Sequence, residues 1–337
     1  MKRKLGRSGI EVSAVGMGCW AIGGPWTYMG SPAGWSEVDD DESIRAIHAA
    51  IDAGANFFDT AANYGCGYSE QILGQAVKGK RDQVVIATKF GDKIDAKTKD
   101  VRPYAEPFET APVAEHMRED LENSLRRLGT DYIDIYQLHV WGYDIEKSIE
   151  IRNLLEEFVK EGKIRCYGWS TDRPDAVRAF AQGENCSVVQ QQLNIFDGVD
   201  EVLEICEEFD LASINRGPLG MGILTGKFTT TTSFPDDDVR KHADWFVGLV
   251  DGHPNPEWLK KIEAIREIIT SDGRTLAQGA LAWIWGRSDR TVPIPGFKTV
   301  TQVEENAGAM QLGALKPDQM DRTITSTVAV AMIKTVG

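Results

Sequence analysis

Short apolar runs and amphipathic helix patterns alternate about eight times along this chain. The runs are apolar on both faces, which is typical of buried parallel strands in α/β proteins. Examples are SAVGMG, FFDT, VVIATKF and YIDIYQLH. Eight strand–helix units in one chain favour a (β/α)8 TIM barrel, whose active site lies at the carboxyl ends of the strands.

The segments between and before these units define the expected domain organisation. A β-hairpin around residues 7–9, in RKLGRSGIEVS, is predicted to plug the barrel floor. No linker or repeat interrupts residues 1–337, so a single domain is expected. Long loops at about 21–40 and 228–256 follow the first and seventh strands on the active-site rim, and ordered loops of this length are usually functional. One helical stripe beginning at Trp258 is expected before the last strand, TVPIPG.

Charge and cysteine content exclude several classes of function. The formal charge of −14 disfavours a nucleic-acid surface and an anionic membrane surface. No apolar run approaches about 18 residues, and the charged N-terminus lacks the apolar stretch of a secretion signal. The 5 cysteines are scattered without a C-x-x-C motif, which predicts reduced thiols, no metal site and a cytoplasmic location.

Four polar residues end or follow predicted strands, and together they indicate a reaction. They are Asp59 in FFDTA, Tyr64 in ANYG, Lys89 in ATKF and His139 in YQLH. Singly, such residues are often a structural ion pair, a packing tyrosine or a core histidine. On one barrel rim they supply the groups that deliver a proton to a carbonyl oxygen while a cofactor delivers a hydride to its carbon.

These residues lie in motifs that resemble the aldo-keto reductase superfamily, from about residue 5 to residue 310. The likeness is to bacterial NADP-dependent members and to the branch that includes channel β-subunits. The motifs are GMGCW, FFDTAANYG-x-GYSE, ATKF, YQLH, GKIRCYGWST, VVQ, GPLGMGILTGKF and PIPGFK-x-x-x-Q-x-x-EN.

The resemblance and the chemistry of the side chains imply the same catalytic roles. Tyr64 acts as general acid in reduction and as general base in oxidation. A neutral tyrosine has a pKa near 10, and the ammonium of Lys89 is expected to lower it. Asp59 keeps Lys89 charged and in place, and His139 orients the carbonyl oxygen.

The resemblance also implies a binding site for NADP(H). Ser170 and Gln190 would hold the carboxamide, and Thr171 stands where the family often has asparagine. Arg216 replaces the usual aromatic residue and has two open roles, stacking on the nicotinamide or reaching a phosphate. The implied cofactor residues are Cys19, Trp20, Asp59, Ser170, Thr171, Gln190, Arg216, Gly217, Pro218, Leu219, Gly220, Met221, Lys227, Gly296, Phe297, Lys298, Gln302, Glu305 and Asn306.

Lys298 predicts a preference for NADPH over NADH. It precedes a predicted helix N-terminus, and a basic side chain beside free helix N–H groups forms an anion site that suits the 2′-phosphate. An ordinary surface lysine is the alternative interpretation. Arg240 is a weaker phosphate candidate.

The leading hypothesis is a reductase of aldehydes or ketones. A sugar or polyol dehydrogenase working in the oxidative direction uses the same residues. A nucleotide-sensing regulatory subunit with little turnover is the alternative of another class, and His139 favours the enzyme because it completes the catalytic set. The sequence predicts a small carbonyl or alcohol substrate and leaves the oligomeric state open. The expected substrate pocket contains Trp20, Trp26, Tyr64, His139 and Trp141.

Overall fold

A computed structural model of the chain describes residues 1–332, with side chains to residue 327. Within these residues, eight parallel strands form one curled sheet in chain order. A bridge between Gly18, which ends the first strand, and Gly296, three residues after the last strand, closes the barrel and confirms the predicted fold. The barrel strands are β1 (Met17–Gly18), β2 (Phe57–Asp59), β3 (Val85–Phe90), β4 (Ile133–Leu138), β5 (Ile164–Ser170), β6 (Cys186–Asn194), β7 (Ala212–Arg216) and β8 (Thr291–Pro293).

Helices connect these strands and cover the sheet. In residues 1–332 they are α1 (Asp40–Asp52), α2 (Tyr68–Ala76), α3 (Val113–Leu128), α4 (Ile145–Lys160), α5 (Pro174–Phe180), α6 (Asp200–Glu208), α7 (Pro256–Ile269), α8 (Leu276–Arg287), α9 (Val300–Leu312) and α10 (Pro317–Met332). None of them is both long and apolar enough to cross a membrane.

Helix α8 differs from the sequence-based expectation of one helix between β7 and β8. Its sequence, LAQGALAWIWGR, is buried on nearly every side, so it lacks the polar face that reveals a helix. A local signal does mark its start. Thr275 and Gln278 form a reciprocal capping box at its N-terminus, the S/T-x-x-Q pattern.

The N-terminal hairpin lies at the opposite end of the barrel from the rim loops. Lys2–Lys4 pairs antiparallel with Glu11–Ser13. Leu5, Ile10 and Val12 are buried and pack with the inward-facing aliphatic side chains of the barrel strands. These contacts confirm the predicted plug on the barrel floor.

The long loops at the other end contact one another. The backbone N–H of Val239 donates to the carbonyl of Gly34 at 2.8 Å, which joins the loops after β7 and β1. The loop after β3 forms a hairpin of Asp92–Asp95 and Asp100–Pro103, whose second strand pairs with Thr27–Tyr28 of the first loop. This small rim sheet links the loop after β1 to the loop after β3.

Asp134 joins three neighbouring strand segments at the start of β4. Its carboxylate accepts hydrogen bonds from Arg81 at 2.7 Å, Arg165 at 2.8 Å and the backbone N–H of Ile86 at 2.9 Å. We expect Asp134→Ala to reduce the free energy of unfolding by about 3 kcal/mol, because it leaves the buried N–H of Ile86 without its acceptor and removes the counter-charge of the partly buried Arg81 guanidinium.

Urea denaturation measures this effect. Arg165→Gln is the matched control and should cost about 1 kcal/mol or less, because the Arg165 side chain is 50% exposed. An Asp134→Ala protein as stable as the parent would contradict the structural role of this carboxylate.

Candidate active site

Lys89 brings three predicted site residues together at the carboxyl ends of β2 and β3. Its ammonium lies 2.6 Å from Oδ1 of Asp59 and 3.4 Å from the hydroxyl of Tyr64. It also donates to the carbonyl of Thr60 at 2.8 Å. The three donor directions of the ammonium are therefore all used, which fixes the amine beside the phenol.

Asp59 is held from the other side by two amides. Its Oδ2 atom accepts from the side chain of Gln190 at 2.7 Å and from that of Gln137 at 3.4 Å. These glutamines come from β6 and β4, so the carboxylate is anchored across the barrel mouth. Gln137 is not among the residues predicted from the sequence, although its position two residues before His139, near the end of a strand, is a signal that could have indicated it.

Burial and the charge of Lys89 shift the pKa of the Tyr64 phenol in opposite directions. Burial raises the pKa of Tyr64 above its ordinary value, and the nearby charge of Lys89 lowers it. The net direction is upward, whereas the sequence predicts a decrease, because desolvation of the phenolate outweighs the attraction of the ammonium. The protein therefore carries a protonated phenol at neutral pH.

Lys89 itself is charged. Burial lowers the pKa of Lys89, but the Asp59 carboxylate and the Tyr64 hydroxyl outweigh burial and raise it above its ordinary value. A buried cation and a buried carboxylate thus compensate each other beside a neutral proton donor.

His139 follows β4 and faces the edge of the phenol. The ring centroids of His139 and Tyr64 are 5.9 Å apart, with the planes nearly perpendicular. Burial, then the positive charges of Lys89 and Arg216, hold the pKa of His139 well below its ordinary range. The imidazole is neutral at pH 7 and carries one N–H donor. Trp20 stacks on Tyr64 at a centroid distance of 6.0 Å.

One cavity of about 250 Å³ contains most of the predicted cofactor residues. It extends from the Asp59 and Tyr64 end to the start of α9. The predicted residues in its wall are Trp20, Asp59, Tyr64, Gln190, Arg216, Gly217, Pro218, Leu219, Met221, Lys227, Gly296, Phe297, Lys298, Gln302, Glu305 and Asn306.

The remaining predicted residues lie outside the wall of this cavity. The hydroxyl of Thr171 donates a hydrogen bond to the carbonyl of Trp141, another rim residue, at 3.1 Å. Trp26 packs in a small rim cluster with Cys66 and Val101. Trp141 is 53% exposed at the surface. The set outside the wall is Cys19, Trp26, Lys89, His139, Trp141, Ser170, Thr171 and Gly220.

Three cations converge at the far end of the cavity, in Lys227, Arg240 and Lys298. Burial lowers the pKa of Lys227 and of Lys298, and the charge of Arg240 acts in the same direction on both. The Lys298 ammonium donates to the carbonyl of Ser36 at 3.0 Å, and the Arg240 guanidinium pairs with Asp238 at 2.6 Å. A bound anion would relieve this concentration of positive charge.

The segment from Gly217 to Gly222, which precedes these cations in the sequence, leaves little room for side chains. Gly217 has a φ of 61°, and an added Cβ would lie 2.6 Å from Oε1 of Gln192. Gly220 and Gly222 also have positive φ values of 54° and 95°. Such a bare backbone allows the close approach of a ligand. The cations, the glycines and the helix N-terminus together fit a phosphate-bearing ligand.

Comparison with known proteins identifies the family of the chain. Residues 14–326 match the model of the aldo/keto reductase family. The chain is 33% identical to aldo-keto reductase YhdN of Bacillus subtilis over 308 residues, which cover 88% of this chain and 85% of the relative. It is 32% identical over 318 residues to yakc of Schizosaccharomyces pombe, an aldo-keto reductase named with NADP(+), at coverages of 92% and 86%.

Solved structures give the same result. The glycerol dehydrogenase AKR11B4 from Gluconobacter oxydans is 28% identical, with a TM-score of 0.78 over 96% of this chain and 94% of that one. An aldo/keto reductase from Klebsiella pneumoniae in complex with NADP and acetate is 27% identical, with a TM-score of 0.67 at coverages of 96% and 94%. The chain therefore belongs to the aldo/keto reductase family of oxidoreductases.

Proposed function

We propose that this chain is an NADP(H)-dependent oxidoreductase that interconverts an aldehyde or ketone and its alcohol. The observation that carries the proposal is the contact of the Lys89 ammonium with both Asp59 and the hydroxyl of Tyr64, two residues in the wall of a cavity with a cationic far end. The proposal takes residues 1–337 as one catalytic domain.

Tyr64 is the proton donor in the proposed reduction. Bound NADPH supplies the hydride to the carbonyl carbon. The Tyr64 hydroxyl gives its proton to the carbonyl oxygen, and Lys89 stabilises the phenolate that remains. In alcohol oxidation the same phenolate accepts the proton. Asp59 keeps Lys89 charged through both directions.

His139 and Gln190 orient the reactants in this proposal. A neutral His139 donates its single N–H toward the carbonyl oxygen, without competing with Tyr64 as the acid. Gln190 uses its amide N–H on Asp59, which leaves its carbonyl oxygen as an acceptor for the carboxamide of the cofactor. Trp20 forms an aromatic wall beside Tyr64.

Lys227, Arg240 and Lys298 would bind the phosphates. The structures of the Klebsiella pneumoniae relatives in complex with NADP or NADPH support this class of cofactor. Lys298 lies directly before the N-cap of α9, so its ammonium and the positive end of the helix dipole would act on the same anion.

We expect Lys298→Ala to weaken NADPH binding by about 10–100-fold, which corresponds to one charge-assisted contact of about 1.5–3 kcal/mol. NADH lacks the 2′-phosphate and should lose little affinity. Calorimetric titration with both cofactors measures the difference. Lys241→Ala is the matched control, because Lys241 lies in the rim loop after β7 that also carries Arg240, but pairs with Asp236 and is not in the cavity wall. Equal losses for both cofactors would place the 2′-phosphate elsewhere.

A panel of carbonyls and alcohols, assayed with NADPH and NADH in parallel, tests the proposed function. We expect turnover of at least one class, faster with NADPH. The similarity to a glycerol dehydrogenase favours polyol oxidation as the second candidate activity. Tight cofactor binding without turnover of any compound would instead support the nucleotide-sensing alternative.

A further inference from the structure

Arg216 ends β7 at the wall of the cavity, on the side of Tyr64 and His139. Its positive charge acts on both residues and lowers the pKa of each. Arg216 lies opposite Gln192 in the register of the neighbouring strand β6, and its guanidinium donates to Oε1 of Gln192 at 3.1 Å. Arg216 is therefore fixed beside the catalytic end of the cavity and not at the phosphate end.

Asp172, which follows β5 by two residues, holds this guanidinium in an ion pair. Its other contacts anchor the carboxylate firmly. Oδ1 accepts from the backbone N–H of Gln192 at 2.6 Å, and Oδ2 accepts from the indole N–H of Trp141 at 3.2 Å. The carboxylate thus connects the ends of β5, β6 and β7 and the loop after β4.

The proposed cofactor presents two different charges to this end of the cavity. The oxidised nicotinamide ring is a cation and the reduced ring is neutral, while the phosphates, the riboses and the adenine are the same in both forms. An uncompensated arginine beside the ring would therefore repel the oxidised form selectively, since like charges in a partly buried site interact strongly. To bind the oxidised cofactor, the cavity must therefore accept the cationic nicotinamide ring next to the cationic guanidinium of Arg216.

We propose that Asp172 is a charge-compensating and positioning residue, which neutralises Arg216 so that this cavity accepts the oxidised as well as the reduced dinucleotide. The inference rests on the proposed function, because it requires a nicotinamide at the Tyr64 end. It assigns to Asp172 a role in the balance between the two redox forms of the cofactor and gives Arg216 a defined partner.

The ratio of the dissociation constants of NADP⁺ and NADPH isolates this effect, because contacts that the two forms share cancel in it. For Asp172→Asn we expect the ratio to rise about tenfold, since the arginine charge is then uncompensated. For Arg216→Gln we expect the ratio to fall, because a lone carboxylate favours the cationic ring. The double variant should return to near the parent ratio.

Calorimetric titration of each purified variant with both cofactors measures the ratio. Asp175→Asn is the matched control, because Asp175 pairs with Arg173 at 3.0 Å and its side chain is 60% exposed. We expect no change of the ratio in this control. If Asp172→Asn does not fold, the downward shift in Arg216→Gln still decides the inference.

A merely structural role for Asp172 makes a different prediction. Both cofactor forms would then weaken together, and the ratio would stay constant or move in the same direction in both single variants. Either result would overturn the inference while leaving the proposed function intact. Failure of the parent protein to bind either dinucleotide would instead refute the proposed function.

Discussion

Tyr64→Phe is expected to lower kcat by about 10²–10⁴-fold, the usual contribution of a positioned proton donor. The substitution removes only the hydroxyl. The remaining ring still stacks on Trp20 and still meets His139 edge-on. Because the cations at the far end are unchanged, NADPH should bind with nearly the parent affinity. Loss of turnover with retained binding is the signature of a missing acid.

Steady-state rates together with calorimetric titration test this expectation. Tyr68→Phe is the matched control, because the Tyr68 hydroxyl bonds to Asp40, away from Lys89. That variant should turn over at close to the parent rate. Parent-like activity in Tyr64→Phe would mean that another group protonates the carbonyl oxygen.

Lys89→Met should damage both catalysis and stability. The ammonium is fully buried against Asp59, so its removal leaves an unpaired buried carboxylate, at a cost of about 3–5 kcal/mol in the free energy of unfolding. The pKa of Tyr64 loses its main downward influence, so the phenolate is less accessible and the rate should fall by at least about 10²-fold.

The double variant Lys89→Met with Asp59→Asn separates these two effects. It removes the unpaired charge, so much of the stability should return, as urea denaturation would show. The rate should remain low because the phenol still lacks its cation. Recovery of turnover along with stability would indicate that Lys89 serves the fold and not the chemistry.

The barrel was predictable because its local and global signals agree. Each strand reads as a buried apolar run and most helices carry a polar face, so the alternation is visible without any tertiary information. Helix α8 was missed for the opposite reason, since burial on nearly every side removes the periodicity. The rim sheet was missed because Thr27–Tyr28 pairs with residues about 70 positions away, which no local pattern specifies.

The sequence predicted part of the site. Asp59, Tyr64 and Lys89 sit in strand ends and motifs, and the structure brings them into contact. The predicted decrease in the pKa of Tyr64 was wrong. Burial raises this pKa, and the burial of a loop side chain depends on the loops that cover it. Asp172 carries a strand-end signal like that of Asp59, but its importance appears only when β7 places Arg216 against it.

A crystal structure of the chain with NADP⁺ and a carboxylate inhibitor that mimics the carbonyl tests the central claim most directly. The measured quantity is the distance from the Tyr64 hydroxyl to the nearest inhibitor oxygen. We predict about 2.6–3.2 Å, the reach of a proton donor. An inhibitor oxygen bound to other donors, with Tyr64 out of hydrogen-bonding range, would contradict the account.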